Sequence, residues 1–386
     1  MFCIRYVFAA FTITTIIFSA TAQQITVRDS NALNAAIRKL KPGDELLLAP
    51  GTYSPNVRIN ALTGTAAKPI VIRGSDAANP PLFKGGSQAL HFSECAYVTL
   101  RNIKVSGCRI NGINIDDGGT FETPTHHITL EGITIEDIGP RGNHDGLKLS
   151  GLDDFVIRNA RIAGWGGSAI DMVGCHNGRI EDSHFEGKQG FSQSSGIQLK
   201  GGTKNVTVRT SFFLNAGSRA INLGGSTGMP YFRPQNAIFE AEDIVITGNR
   251  FVGSMAPIAY VNANNGRVAQ NTIYLPGKWV IRILQETTAE RFKPCQKCSF
   301  EQNLVVFDQR VNVFVNVGPN TAPKTFTFAR NAWFQKDGRK AAPKLPAPEK
   351  AGIYHVDPKL EHPGTSKMRR TSPDARLKGI GADAYK

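Results

Sequence analysis

A short alternation of apolar and polar residues recurs through the middle of the chain. Its clearest copies are Asn111-Gly-Ile-Asn-Ile-Asp116, Asp145-Gly-Leu-Lys-Leu-Ser150, Ser168-Ala-Ile-Asp-Met-Val173, Ser195-Gly-Ile-Gln-Leu-Lys200 and Arg219-Ala-Ile-Asn-Leu-Gly224. Each places two apolar residues at alternate positions between polar ones, the signature of a strand with one buried face. Weaker copies surround Ile258, Ile281 and Phe314, and second alternating runs such as His127-Ile-Thr-Leu, Phe155-Val-Ile-Arg and Ile244-Val-Ile-Thr follow the first. Where no insertion intervenes the copies lie 23 to 27 residues apart, a solenoid period. Strands this short cannot close a core singly, so neighbouring coils must stack into parallel sheets and bury a continuous column. An antiparallel sandwich also uses short strands and tight turns, but it does not repeat one side-chain pattern at a fixed period.

The flanks read differently. Asp29-Ser-Asn-Ala-Leu-Asn-Ala-Ala-Ile-Arg-Lys-Leu40 predicts a capped amphipathic helix over residues 30–40, with Leu33, Ala36, Ile37 and Leu40 on one stripe. It would cover the open end of the first coil, where apolar side chains and strand edges would otherwise meet water. Residues 1–22 carry Arg5, an apolar run from Tyr6 to Phe18 and the small triplet Ala20-Thr21-Ala22, the pattern of a secretory leader. The apolar run is too short for a membrane span. The expected organisation is a leader over 1–22, a helical solenoid over 23–334, and an irregular tail over 335–386 packed on its outside, in a secreted or periplasmic protein.

Stacking the copies in register places equivalent side chains above one another. The central outward position then holds Asn114, Lys148, Asp171, Gln198 and Asn222, and the position two residues on holds Asp116, Ser150, Val173, Lys200 and Gly224. Three residues before the centre come Asn111, Asp145, Ser168, Ser195 and Arg219. A plain solvated wall would also be polar, but this one mixes acids, bases and amides within a few coils. Gly201-Gly202 and Gly224-Gly225 keep the adjoining turns low, so a polymer chain can approach the backbone. The insertion Gly224-Gly-Ser-Thr-Gly-Met-Pro-Tyr-Phe-Arg-Pro234 brings Tyr231, Phe232 and Arg233, which suit either a sugar-stacking, carboxylate-binding wall or a loop anchor. Phe212, Phe213 and Phe251 are expected in the core.

A formal net charge of +14 points to polyanionic partners. Beyond the leader five cysteines remain, so at least one thiol is free or pairs with another chain. Cys295-Gln-Lys-Cys298 suits a local disulfide better than a zinc half-site, which would need a second pair.

Lys41-Pro-Gly-Asp-Glu-Leu-Leu-Leu-Ala-Pro-Gly-Thr-Tyr53, just after the cap helix, and the terminal Ser372-Pro-Asp-Ala-Arg-Leu-Lys-Gly-Ile-Gly381 resemble segments of pectate-lyase-like β-helix proteins. With the central coils, the resemblance spans almost the whole chain beyond the leader. It implies an all-β fold, a single-stranded right-handed parallel β-helix with an N-terminal capping helix. It says little of activity, because this fold hosts lyases, hydrolases, epimerases and binding proteins.

The nearest character is that of alginate and chondroitin lyases, in which a Lys acts as base, an Arg assists from the next coil, and acidic residues hold calcium. Carried onto this chain, the resemblance implies Lys200 as base and Arg219 assisting, with Lys148 a further cation. It also implies Ca2+ held by Asp116, Asp145 and Asp171, with amide and carbonyl oxygens completing the shell. Gln198, Asn222, Asn114, Tyr231 and Arg233 would bind substrate. His144-Asp145 is similar to the adjacent pair of mannuronan epimerases, although Gly142-Asn143 stands where their fuller motif has Asp-Pro, and His144 also suits a plain turn. A hydrolase would use two opposed carboxylates, and Asp145 with Asp171 is the available pair. The leading expectation is a lyase acting by β-elimination on an acidic polysaccharide, as a monomer without nucleic acid. A C5-epimerase, a glycoside hydrolase and a non-catalytic carbohydrate-binding or envelope protein are the alternatives.

Overall fold

A computed structural model describes residues 22–385 of the chain. The expected leader lies outside the described residues except for Ala22. Three parallel sheets, of ten, twelve and sixteen strands, run side by side, and successive coils add to each in turn. The repeat register is the one that the alternation demands. Ile113, Leu147, Ile170, Ile197, Ile221, Ile258 and Ile281 form one inward column of the ten-stranded sheet, and Ile115, Leu149, Met172, Leu199, Leu223, Tyr260 and Ile283 form the next. All of these side chains are buried in a single core cluster. Phe185, Phe213 and Phe251 stack with ring centroids 4.8 Å apart, the spacing of neighbouring strands. Phe212 instead turns to the other side of its strand and packs edge-on against His184, with centroids 5.0 Å apart.

The cap helix spans Ser30–Ile37, shorter than its apolar stripe suggests, and Leu40 packs on the core from the following turn. Asp29 fixes its start by accepting a bond from the Ala32 N–H at 2.8 Å. At one corner of the solenoid Asn249, Asn271, Asn303 and Asn331, all fully buried, form a ladder. Each amide nitrogen donates to the next amide oxygen at 3.0 to 3.1 Å, and Glu349 terminates the ladder by accepting from Asn331 at 2.8 Å. Buried backbone groups at the turns are thereby satisfied by the same side chain in coil after coil.

The solenoid continues beyond residue 334. Glu349–Lys350 and Ile353–Tyr354 still pair with strands of the preceding coil, held there by Glu349, which accepts from Asn331 and from the Trp333 indole N–H at 3.0 Å. Only after Tyr354 does the chain lie along the outside. There a two-stranded antiparallel hairpin and two short helical turns bury Met368, Leu377 and Ile380 against Tyr274, Leu304 and Val306. Cys295 and Cys298 remain free thiols, as do Cys95, Cys108 and Cys175, and all five are buried. The expected local disulfide is corrected on this point: Cys298 donates to the Gln296 carbonyl at 3.2 Å and accepts from the Gly266 N–H at 3.3 Å, so both sulfurs pack as small apolar groups.

Candidate functional site

The outward face of the ten-stranded sheet carries His91, Asn114, Lys148, Asp171, Gln198 and Asn222 in successive coils. Two residues on, the neighbouring row holds Ser93, Asp116, Ser150, Val173 and Lys200. Over part of these rows lies a groove of about 730 Å³ whose lining includes His91, Asn114, Asp116, Lys148, Lys200 and Tyr231. Strand alternation puts every second side chain outward, and parallel stacking gathers residues distant in sequence.

Beneath the groove sit two carboxyls. Asp171 is 1 % exposed and accepts from the Lys148 ammonium on Oδ2, while the Lys200 ammonium lies 3.2 Å from its Oδ1. That second contact is an ion pair without hydrogen-bond alignment, because Oδ1 has no bonded donor. Asp145, also 1 % exposed, lies 3.9 Å from the Lys148 ammonium and accepts from the Ser168 N–H at 2.7 Å. Burial, and then the charge of Asp171, push the Asp145 carboxyl up to about 7 against the pull of Lys148, Ser168 and Lys200. Burial works to lower the Lys148 pKa, but Asp171 and Asp145 outweigh it and raise it, so this ammonium stays charged. Lys148 and Lys200 therefore both face Asp171, while the adjoining Asp145 carboxyl is driven toward its neutral form.

Asp116 belongs to a separate constellation. It accepts from Ser93 at 2.7 Å and Asn114 at 2.8 Å and pairs with His91 Nε2 at 2.6 Å. Burial alone would raise its pKa, but His91, Ser93 and the Gly118 N–H prevail and bring it down to about 2. The other ring nitrogen of His91 faces the Gln88 amide at 3.3 Å. His91 was missed in the sequence because its strand, Leu90–Ser93, precedes the clear copies of the repeat, although its alternation carries the same signal.

Other expected residues are placed elsewhere. Arg219 pairs in register with Ser195, five residues before Lys200 on the same strand, which puts it roughly 16 Å along the strand direction. Its guanidinium turns to Glu286 at 2.7 Å and to Asn222 at 3.4 Å. The expected pairing of Lys200 with Arg219 at one reacting centre is thus corrected. Asn222 is 1 % exposed beneath Arg219, so it is closed to substrate. Gln198 remains on the outward row and accepts from the Ser168 hydroxyl at 3.4 Å. His144 is a turn residue: its carbonyl accepts from the Gly166 and Gly167 N–H groups, and its buried Nδ1 has no bonded partner.

The 225–240 loop walls the groove. Tyr231 projects into solvent, 63 % exposed, whereas Phe232 is fully buried against Phe292. Arg233 is corrected from substrate ligand to anchor. Its guanidinium forks onto Asp117, itself buried, with Nη2 at 2.8 Å, and stacks over Phe121 at 4.5 Å. Two further ties hold the loop. The fully buried Glu240 accepts from the Thr227 N–H at 2.9 Å and the Gly201 N–H at 2.7 Å. His176 bonds Asp153 at 2.9 Å and reaches the Arg233 carbonyl at 3.2 Å.

The carboxylates expected to hold calcium do not fit that role. The Lys148 ammonium bonds Asp171 Oδ2 and stands near Asp145, the Lys200 ammonium lies beside Asp171 Oδ1, and four partners satisfy Asp116, two coils from Asp171. No group of three His, Cys, Asp or Glu side chains with metal-binding geometry occurs among the described residues.

Three parallel sheets wound coil upon coil, with a polar groove on one face, define the fold as a parallel β-helix. Residues 88–273 match the family described as right handed beta helix region, which gives the hand of the solenoid. No curated protein matches the chain in sequence. Among solved structures, pectate lyase Pel9A superposes with a TM-score of 0.60 at 14 % identity, over 94 % of this chain and 92 % of that one. The alginate lyase of Paenibacillus sp. str. FPU-7 gives 0.51 at 21 % identity, over 78 % of this chain and 96 % of that one. The GH136 lacto-N-biosidase of Eubacterium ramulus gives 0.56 at 12 % identity, over 87 % and 68 %. At these identities the likeness shows the fold and leaves the chemistry to the site. No helix among the described residues is long and apolar enough to cross a membrane.

Proposed function

We propose that the protein is an exported polysaccharide lyase that cleaves an acidic, uronic-acid-containing glycan by β-elimination in the groove above Lys148 and Lys200. One observation carries this reading: two ammonium groups converge on a single buried carboxylate while the adjoining carboxyl is driven toward its neutral form. The surplus positive charge faces a groove long enough for a sugar chain, and a uronate carboxylate laid across it would complete the neutralisation. Neutralising that carboxylate stabilises the anion that develops when the proton at carbon five leaves. Lys148, held charged by two acids, suits this part. Lys200 has one looser partner and suits the base. Lys200 helps bind the glycan as an ammonium, gives its proton to water, and as the neutral amine takes the C5 proton; the electron pair forms the C4–C5 double bond, the C4–O bond breaks, and the departing oxygen takes a proton from water. A hydrolase would need opposed carboxyls, but Asp145 and Asp171 lie in adjacent coils beneath the lysines.

Incubation with alginate, pectate and glycosaminoglycans should raise ultraviolet absorbance from unsaturated chain ends with at least one of them. Lys200→Arg keeps the charge but removes the base, so turnover should fall by about 10²–10⁴ with binding retained. Lys148→Met should lower kcat as well as weaken binding, because the carboxylate that it neutralises takes up the charge developing in the transition state. Reducing ends without new absorbance would replace the lyase with a hydrolase, and full turnover by Lys200→Arg would remove that lysine from the base role.

A further inference from the structure

The same outward row that carries Lys148 continues through Asp171, Gln198, Asn222 and Ala259 to Arg282. Five strand spacings separate the two cations, a distance of roughly 24 Å along the solenoid axis. Around Arg282 a second constellation gathers that the groove does not use. Its guanidinium lies 4.7 Å over the Trp279 ring, and the Lys278 ammonium lies 4.5 Å from the same ring. Arg219 bonds Glu286 at 2.7 Å, while the Arg282 guanidinium donates from Nε to Asn316 Oδ1 at 2.9 Å and feels the charges of both Arg219 and Glu286. Burial, and next the charge of Arg219, lower the pKa of Arg282, with Glu286 only partly opposing them. Two guanidinium groups thus share the field of one acid, and Lys278 adds a third cation beside a half-buried indole. An indole bordered by one guanidinium and one ammonium offers a sugar ring its remaining apolar surface and a carboxylate the cations at its rim.

We infer that Trp279, Arg282 and Arg219 form a distal subsite for an acidic sugar unit of the same glycan chain that enters the groove at Lys148 and Lys200. This rests on the reading of that groove as a uronate site and adds a length requirement to it. The polymer lies along the axis, and only chains that span the interval between Lys148 and Arg282 touch both ends. Arg219 regains a part in glycan recognition here, away from the reacting centre.

The test is calorimetric binding of oligouronates of increasing length to the full-length protein, alongside turnover of the same oligomers. Wild-type Kd should improve by about tenfold once the oligomer spans the interval. Trp279→Ala with Arg282→Gln should abolish that gain, raise KM for long oligomers, and leave kcat and the Kd for short ones unchanged. The unchanged short-oligomer values report that the variant is folded. A length gain that survives the double substitution, or equal weakening for short and long oligomers, overturns the subsite and leaves the groove reading intact. Wild-type protein that binds no oligouronate of any length overturns both.

Discussion

Asp145 occupies a position in which protonation alters both stability and binding. Its carboxyl is pushed up to about 7 by burial and by Asp171, so the folded state holds a proton that the unfolded chain has released above the ordinary carboxylate range. For this group the stabilising contribution is fully present below the unfolded pKa and is lost as pH rises through about 7. The same deprotonation places a negative charge beside Lys148 and would reduce the surplus positive charge proposed to attract a uronate. Glycan affinity should therefore decline between about pH 6 and pH 8, and Asp145→Asn should flatten that slope. Titration of Kd against pH for both proteins measures it. An unchanged slope in Asp145→Asn would assign the dependence to another group.

At the level of elements, the 225–240 loop and the corner ladder do different work. The loop is tied to the turn at Asp117, whose carboxylate is buried under Arg233. Arg233→Ala leaves that charge without its cation and should destabilise the fold by about 3–5 kcal/mol, read as a lower denaturant midpoint. Asn271→Ala removes a rung whose amide nitrogen serves the Ile246 and Ala269 carbonyls as well as Asn303. Leaving such groups unsatisfied costs roughly 1–3 kcal/mol each, so the midpoint should fall without loss of the groove's binding. The coils and their register were legible in the sequence, since alternation in copies such as Ser168–Val173 and Ser195–Lys200 states which side chains turn inward. The site was legible only in part. Register places Cα atoms, but it does not say that Arg219 reaches Glu286, that Arg233 folds back on Asp117, or that Lys148 and Lys200 both lean over Asp171. Those outcomes depend on loop paths and on charge pairing across coils. The ladder was invisible for a related reason: Asn249, Asn271, Asn303 and Asn331 sit at turns, where asparagine is common whether or not it is buried.

Across the whole molecule, a net charge of +14 bears on the proposed capture of an acidic glycan. Association with a polyuronate should slow steeply between about 0.05 and 0.5 M salt, as exposed charges become screened beyond a few ångströms. Stopped-flow rates in the two conditions test this, and rates indifferent to salt would argue that the overall charge serves something other than capture. The asparagine seam has a further consequence for how such a protein changes over time. Because successive turns join through one and the same amide contact, a full turn can be added or lost and the joint re-forms between its new neighbours. Where the seam runs between the coil of Asn222 and that of Arg282, the span toward the Arg282 end is then a modular length, adjustable in increments of about 4.8 Å while the chemistry at either end stays as it was.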